Sequence, residues 1–184
     1  MKFNYLIILY LITSVISVTS CQVKKDQAKS TKANDGKKQQ NDTYFISSQG
    51  DTIYKVVLSD PEWKKRLDEK EFYVLRKKGT ERAFTGDLLD IKKNGIYTCR
   101  GCGHPLFASK AKFESGSGWP SFYDVIDQNG IHKETDYEIG YPRTELTCAK
   151  CGGHLGHVFD DGPQPTGLRY CINSVSLDFV EEKK

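Results

Sequence analysis

A chain of 184 residues with 38% hydrophobic side chains supplies one domain and some additional chain, not two domains. Its formal charge of +3 sits at the start: Lys2 holds one charge and residues 22–42 a net of three, so the body from Thr43 onward is near −1. That balance lacks the basic patch that a binder of phosphate backbones needs, and nucleic acid is not an expected partner.

Residues 1–20 read as Lys2, a long apolar run and then small residues, the pattern of a secretory signal. "VTSC" at residues 18–21 resembles the lipobox of bacterial lipoproteins, in which cleavage leaves Cys21 as a lipidated first residue. The alternatives are a signal peptide cut near Ser20 with Cys21 free, or an uncleaved anchor. The expectation is an exported protein held to a membrane by lipid, on the periplasmic or cell-surface side. Residues 22–55 are expected to form a flexible tether and lead-in. Over residues 22–42 aromatic side chains are absent and large aliphatics nearly so, too little apolar surface to offset chain entropy. A coil of that length reaches roughly 25 Å.

The domain proper is placed at residues 56–180. "SDPEWKKRLDEKEFYVLRKKGT" is expected to be one helical stretch, capped at Ser59 or Asp60 with Glu62 completing a capping box, and stopped by Gly79. The remainder alternates in short segments between glycine turns, with Asn94-Gly95 and Asn129-Gly130 as hairpin signals. The fold class is therefore mainly β: compact antiparallel sheets, with a short helical segment at the N-terminal end.

"YTCRGCGHPLF" and "LTCAKCGGHLG" repeat one design, C-x-x-C-G followed by a histidine and a leucine. Two such turns bring Cys99, Cys102, Cys148 and Cys151 around one ion, and a closed Cys₄ site is typical of structural zinc. Disulfides in an exported chain, redox C-x-x-C motifs and iron in the same geometry are the competing uses. Zinc is the expected cofactor.

Cys171 in "TGLRYCINSVSLDF" stands apart from these pairs. On a strand, Arg169, Cys171 and Asn173 share one face and Tyr170 and Ile172 the other. A guanidinium beside a thiol favours the nucleophilic thiolate, whereas a plain core cysteine would have apolar company. Asn173 is suited to hold a substrate oxygen or a histidine. His154 and His157, three apart with Gly156 between them, are candidate proton donors if the chain bends to aim both at one site. Trp119, in the glycine-flanked "GSGWPSF", can wall an apolar pocket.

With these motifs in order, "GTERAFTGDLL", "GSGWPSF" and "RTELTCAKCGGHLGHVFDDGPQPTGLRYCINSVSL", the chain resembles the methionine-R-sulfoxide reductases, the B-type enzymes, from about Asp60 to Phe179. The resemblance implies reduction of the R epimer of methionine sulfoxide, mostly in oxidised proteins, by a monomer with a structural zinc and a thioredoxin-like or other thiol reductant. It implies Cys171 as the nucleophile that becomes a sulfenic acid, and His154 or His157 as the acid that protonates the leaving oxygen. Trp119 would pack on the substrate methyl group, with Arg169, Asn173 and Asp161 as polar residues around the site. The chain departs from many relatives at Ser117, where they carry a second, resolving cysteine. A zinc-ribbon binding module and a thiol peroxidase are the rival readings.

Overall fold

The computed structural model describes residues 43–183. The leader, Cys21 and the expected tether of residues 22–42 lie outside them. Strands β1 (Tyr44–Ile46) and β2 (Thr52–Tyr54) pair antiparallel, so the lead-in is a hairpin. It is pinned to the body at three points. The Ser48 amide donates to Asp127 Oδ1 at 3.0 Å, Asn129 Nδ2 to the Ile46 carbonyl at 3.0 Å, and the Val56 amide to the Lys150 carbonyl at 2.7 Å.

The expected single helix is two: α1 (Asp60–Lys64) and α2 (Glu69–Lys77). The capping pair at Ser59 forms as read, with the Ser59 amide donating to Glu62 Oε2 at 2.8 Å. A second capping pair ends the continuity. Asp68 has extended backbone (ψ 176°), accepts from the Glu71 amide at 2.7 Å, and donates its own amide to Glu71 Oε2 at 2.9 Å. A residue whose side chain satisfies the next helix's first amides cannot also continue the previous one. The stop comes at Lys78, in the left-handed region at φ 58°, one residue before the expected Gly79. Trp63, Leu67, Phe72, Val74 and Leu75 are buried, which is how these short helices earn their place on the core.

The rest is antiparallel sheet, with β3 (Gly95–Cys99), β4 (Pro105–Ala108), β5 (Lys112–Phe113), β6 (Ser121–Phe122), β7 (Ile131–Asp136), β8 (Arg143–Cys148), β9 (His154–Phe159), β10 (Arg169–Ile172) and β11 (Leu177–Glu181). Six strands run in the order β5-β6-β10-β9-β8-β7, and three in the order β11-β3-β4. Neither Asn-Gly pair makes a hairpin. Asn94-Gly95 leads into β3, and Asn129-Gly130 closes a 3₁₀ turn before β7. Two of the hairpin turns are instead the C-x-x-C segments, between β3 and β4 and between β8 and β9. Between the sheets, Phe107 stacks on Phe122 with ring centroids 4.3 Å apart, Tyr97 meets Phe122 edge-on at 5.0 Å, and Tyr170 closes on Phe107 at 5.9 Å. Such pairs add about 0.5–1.5 kcal/mol each beyond their buried area. After β10 the chain turns through a 3₁₀ turn at Ser174–Ser176 and crosses to the smaller sheet as β11, so Asn173 marks the end of a strand and not its middle.

Candidate active site and metal centre

The two knuckles are built alike. Cys99 donates its amide to the His104 carbonyl at 2.8 Å, and Cys148 to the Gly153 carbonyl at 2.9 Å. Gly103 (φ 70°) and Gly152 (φ 68°) then donate back to Cys99 and Cys148, each at 2.7 Å. Both glycines occupy the left-handed region, where a side chain is strained. The four sulfurs lie within 4.8 Å of one another, with Cys99–Cys151 and Cys102–Cys148 at 3.6 Å. These distances are far longer than a disulfide bond of ~2.0 Å. They fit a tetrahedral ion with metal–sulfur bonds of ~2.3 Å, which sets the sulfurs ~3.8 Å apart. The cluster could hold a metal ion, and with all four ligands from protein such a site is closed.

The chemistry faces one side of the six-stranded sheet. Phe113, Ser121, Cys171, His157, Glu145 and Glu134 are successive register partners across β5, β6, β10, β9, β8 and β7. Directly paired residues present their side chains to the same face. Tyr170 and Ile172 point into the core and Arg169 and Cys171 are half-buried, the alternation read from the sequence. His154 would face away from His157 on a regular strand. A register shift opposite Leu146 and Thr147 makes Leu155 an extra residue, and both imidazoles reach one face with centroids 5.6 Å apart. Gly156 sits in this bend at φ 155°, and a Cβ there would lie 2.1 Å from the Cys171 carbonyl oxygen. Only glycine lets β9 approach β10 so closely.

Each histidine is backed by a carboxylate. His157 Nε2 is 2.9 Å from Asp136 Oδ2, and Arg143 Nη2 donates to the same oxygen. The Glu138 amide donates to Asp136 Oδ1 at 2.7 Å; this bond first, then His157 and Arg143, holds the Asp136 carboxyl well below the usual carboxylate range. His154 Nδ1 is 2.8 Å from Glu145 Oε1, and Lys78 Nζ donates to Glu145 Oε2 at 2.6 Å. Burial depresses the His154 pKa against the pull of Glu145, which disfavours the charged form of this ring. Its Nε2 is buried without a partner. The His154 side chain is 3% exposed and that of His157 12%, which leaves His157 the more accessible to a substrate.

Ser117 Oγ is 3.7 Å from Cys171 Sγ, within a hydroxyl chain in which Ser115 Oγ lies 2.8 Å from Ser117 Oγ and 2.7 Å from Ser121 Oγ. Arg169 makes two 2.8 Å bonds to Asp161, and its guanidinium carbon lies 4.4 Å from the Phe159 ring centroid. The neighbour of Cys171 is thus an ion pair and not a lone cation. Asn173 is committed elsewhere: Oδ1 accepts from the Glu81 amide at 3.0 Å and Nδ2 donates to the Leu155 carbonyl at 3.1 Å. Through these bonds it holds backbone in place. The Trp119 indole donates to the Glu81 carbonyl at 3.1 Å. Glu81, unremarked in the sequence, is buried and its carboxylate accepts the Ser174 and Val175 amides. One residue therefore ties the tryptophan loop to the segment after Cys171. A cavity of about 650 Å³ lies between the N-terminal hairpin and the second knuckle, and Cys171 does not line it. Chemistry and not cavity size locates the site.

A free thiol and carboxylate-backed imidazoles on one sheet face, with a closed four-sulfur cluster stapling two hairpins, define a metal-stapled thiol enzyme of β architecture. Residues 67–181 match the SelR domain, and the chain belongs to that family. It is 56% identical over 129 residues to the peptide methionine sulfoxide reductase MsrB of Leptospira interrogans, covering 70% of this chain and 98% of the relative. The corresponding protein of Methanosarcina mazei is 54% identical over 129 residues, with 70% and 92% covered. The mitochondrial methionine-R-sulfoxide reductase B3 of Mus musculus is 54% identical over 126 residues, with 68% and 50% covered.

Proposed function

We infer that this chain reduces the R epimer of methionine sulfoxide in proteins to methionine, with Cys171 as nucleophile. The observation that carries the reading is the direct pairing of Cys171 with His157 on the exposed face of β9 and β10. A sulfoxide sulfur is a poor electrophile until its oxygen is protonated, so thiolate and proton donor must act together. The Cys171 sulfur attacks the sulfoxide, the oxygen passes to Cys171, and the products are methionine and a Cys171 sulfenic acid. His157 is the acid: Asp136 accepts a hydrogen bond from Nε2–H, which leaves the other ring nitrogen to carry the proton given to the substrate. His154, buried and shifted toward its neutral form, supports the bend behind it. Trp119 supports the substrate methyl group. A thiol reductant then attacks the sulfenic sulfur, releasing water and leaving a mixed disulfide, and a second thiol frees Cys171.

With the two epimers of dabsyl-methionine sulfoxide and dithiothreitol, the protein is expected to consume the R epimer alone. Cys171→Ser should consume neither, at least ~10³-fold slower, since a hydroxyl is a far weaker nucleophile at neutral pH. Consumption of neither epimer by the wild-type protein would favour the binding-module reading. Equal consumption of both would remove the stereochemical assignment.

The ion at the knuckles is zinc on this reading; bound, it supplies structure and no open coordination position. The protein is exported and anchored through lipid on Cys21, and the body acts as a monomer on oxidised proteins on the outer side of that membrane. The support is the lipobox-like "VTSC" directly after the apolar run. In cells, Cys21→Ser is expected to move the protein from the membrane fraction to the soluble one. Persistence in the membrane fraction would reject the lipid anchor.

A further inference from the structure

The active face is bordered by apolar side chains that the reduction of a small sulfoxide does not use. At one border lies the loop joining β7 to β8, residues 137–142, where Tyr137 is 67% exposed, Ile139 49% and Tyr141 58%. At the other border stands Phe84, 69% exposed beside Trp119, with its amide donating to the Gly118 carbonyl at 2.8 Å. Phe84 holds φ at 64°, a left-handed conformation that is costly for an aromatic residue. Strain combined with exposure of a large apolar side chain is found where function demands it. Phe84 and Trp119 also share a cleft of about 200 Å³ with Ser115 and Ser121 of the hydroxyl chain.

We propose that these two borders are the docking surface for an extended polypeptide whose methionine sulfoxide sits at Cys171 and whose apolar side chains flank it on both sides. This deepens the reductase reading and rests on it. The surface is continuous with the catalytic face. The loop starts from that face, because Asp136 accepts the Glu138 amide on Oδ1 while its Oδ2 holds His157. Docking on the loop therefore bears on the same carboxylate that orients the acid. The spacing sets the register. From β6 to β7 there are four strand steps, ~19 Å at ~4.8 Å each. An extended chain covers that distance in about six residues, and Cys171 on β10 stands one step from β6 and three from β7, so the apolar side chains fall about two residues to one side of the sulfoxide and about four to the other. Methionines in proteins are commonly surrounded by apolar residues, and oxidation turns the side chain polar and exposes such stretches. A segment of this kind, opened from its own fold, is the occupant the surface fits. Tyrosine at two of the three loop positions suits a contact with one apolar and one wet side.

The test uses three substrates carrying methionine-R-sulfoxide: a seven-residue peptide with phenylalanine at both ends and the sulfoxide two residues from one and four from the other, its analogue with serine at both ends, and N-acetyl-methionine-R-sulfoxide. The wild-type protein is expected to favour the phenylalanine peptide over the serine peptide about tenfold in kcat/KM, the order expected from burying one further large apolar side chain. Combined Tyr137→Ser, Ile139→Ser and Tyr141→Ser should bring that ratio close to one. Phe84→Gly should lower it as well without lowering Tm, because glycine accepts the φ that phenylalanine holds under strain. Equal treatment of the two peptides by the wild-type protein would overturn the proposal, as would variants that slow all three substrates in proportion. Failure of the wild-type protein on all three would instead remove the reductase reading beneath it.

Discussion

Replacing Cys99 or Cys148 by serine is expected to cost the protein its metal and most of its stability in one step. The two residues end strands of different sheets, β3 in the smaller and β8 in the larger, and each begins the turn of a hairpin. An ion bound by the four cysteines would join the two sheets at one end, as the stacked Phe107 and Phe122 join them in the core. The helices lean on the same place. Arg76 Nη1 donates to the Cys151 carbonyl at 2.9 Å, and a Cβ on Gly101 would touch both the Trp63 ring and the Cys151 sulfur. Structural zinc adds about 10–16 kcal/mol of apparent binding energy to folding, whereas a whole domain is stable by about 5–15 kcal/mol. Loss of one ligand therefore exceeds what the remaining packing can absorb. Metal analysis and thermal melting of the purified variants should show both quantities falling together, while Cys171→Ser keeps its metal. A metal-free variant that melts at the wild-type temperature would show that the sheets hold without the ion.

The parts of this site that were legible in the sequence are those fixed by local spacing. Two C-x-x-C-G turns announce a four-sulfur cluster because both sulfurs of each turn must reach one centre, and they do. Strand alternation placed Arg169 and Cys171 on one face and Tyr170 and Ile172 in the core. The glycine between the histidines announced the bend that brings the rings together. What was not legible depends on contacts between residues far apart in the chain. Asp136 and His157 are 21 residues apart, and Glu81 and Ser174 are 93 apart; neither acid carries a local mark of its partner. Asn173 lies just past its strand, which ends one residue sooner than its alternating neighbours suggest. The broken helix was a different kind of miss. D-x-x-E at Asp68–Glu71 is a local signal as good as the one at Ser59, but the apolar residues on either side spoke for continuity.

In Ser117→Cys, one equivalent of methionine-R-sulfoxide is expected to leave a disulfide to Cys171, where the wild-type protein leaves a sulfenic acid. Ser117 Oγ is 3.7 Å from Cys171 Sγ, so a sulfur in place of that oxygen must close to ~2.0 Å. The loop can supply the movement: Gly116 (φ 72°) and Gly118 (φ 92°) flank the position, and a Cβ on Gly116 would meet nothing within 4 Å. In the wild-type chain the four knuckle sulfurs lie within 4.8 Å of one another, where on our proposal an ion holds them. Cys171 then has no sulfur partner among the described residues, and on our proposal its sulfenic acid waits for an external thiol. With the introduced thiol, that group's proton and the sulfenic hydroxyl leave as water and the two sulfurs join, so the reductant next meets a disulfide. Dimedone should accordingly label Cys171 in the oxidised wild-type protein and fail to label the variant. Peptide mapping should find the bridge in the variant alone. A wild-type chain in which Cys171 is already bridged after one turnover would overturn the direct route. A variant that keeps its dimedone adduct would show that the loop holds the two positions apart.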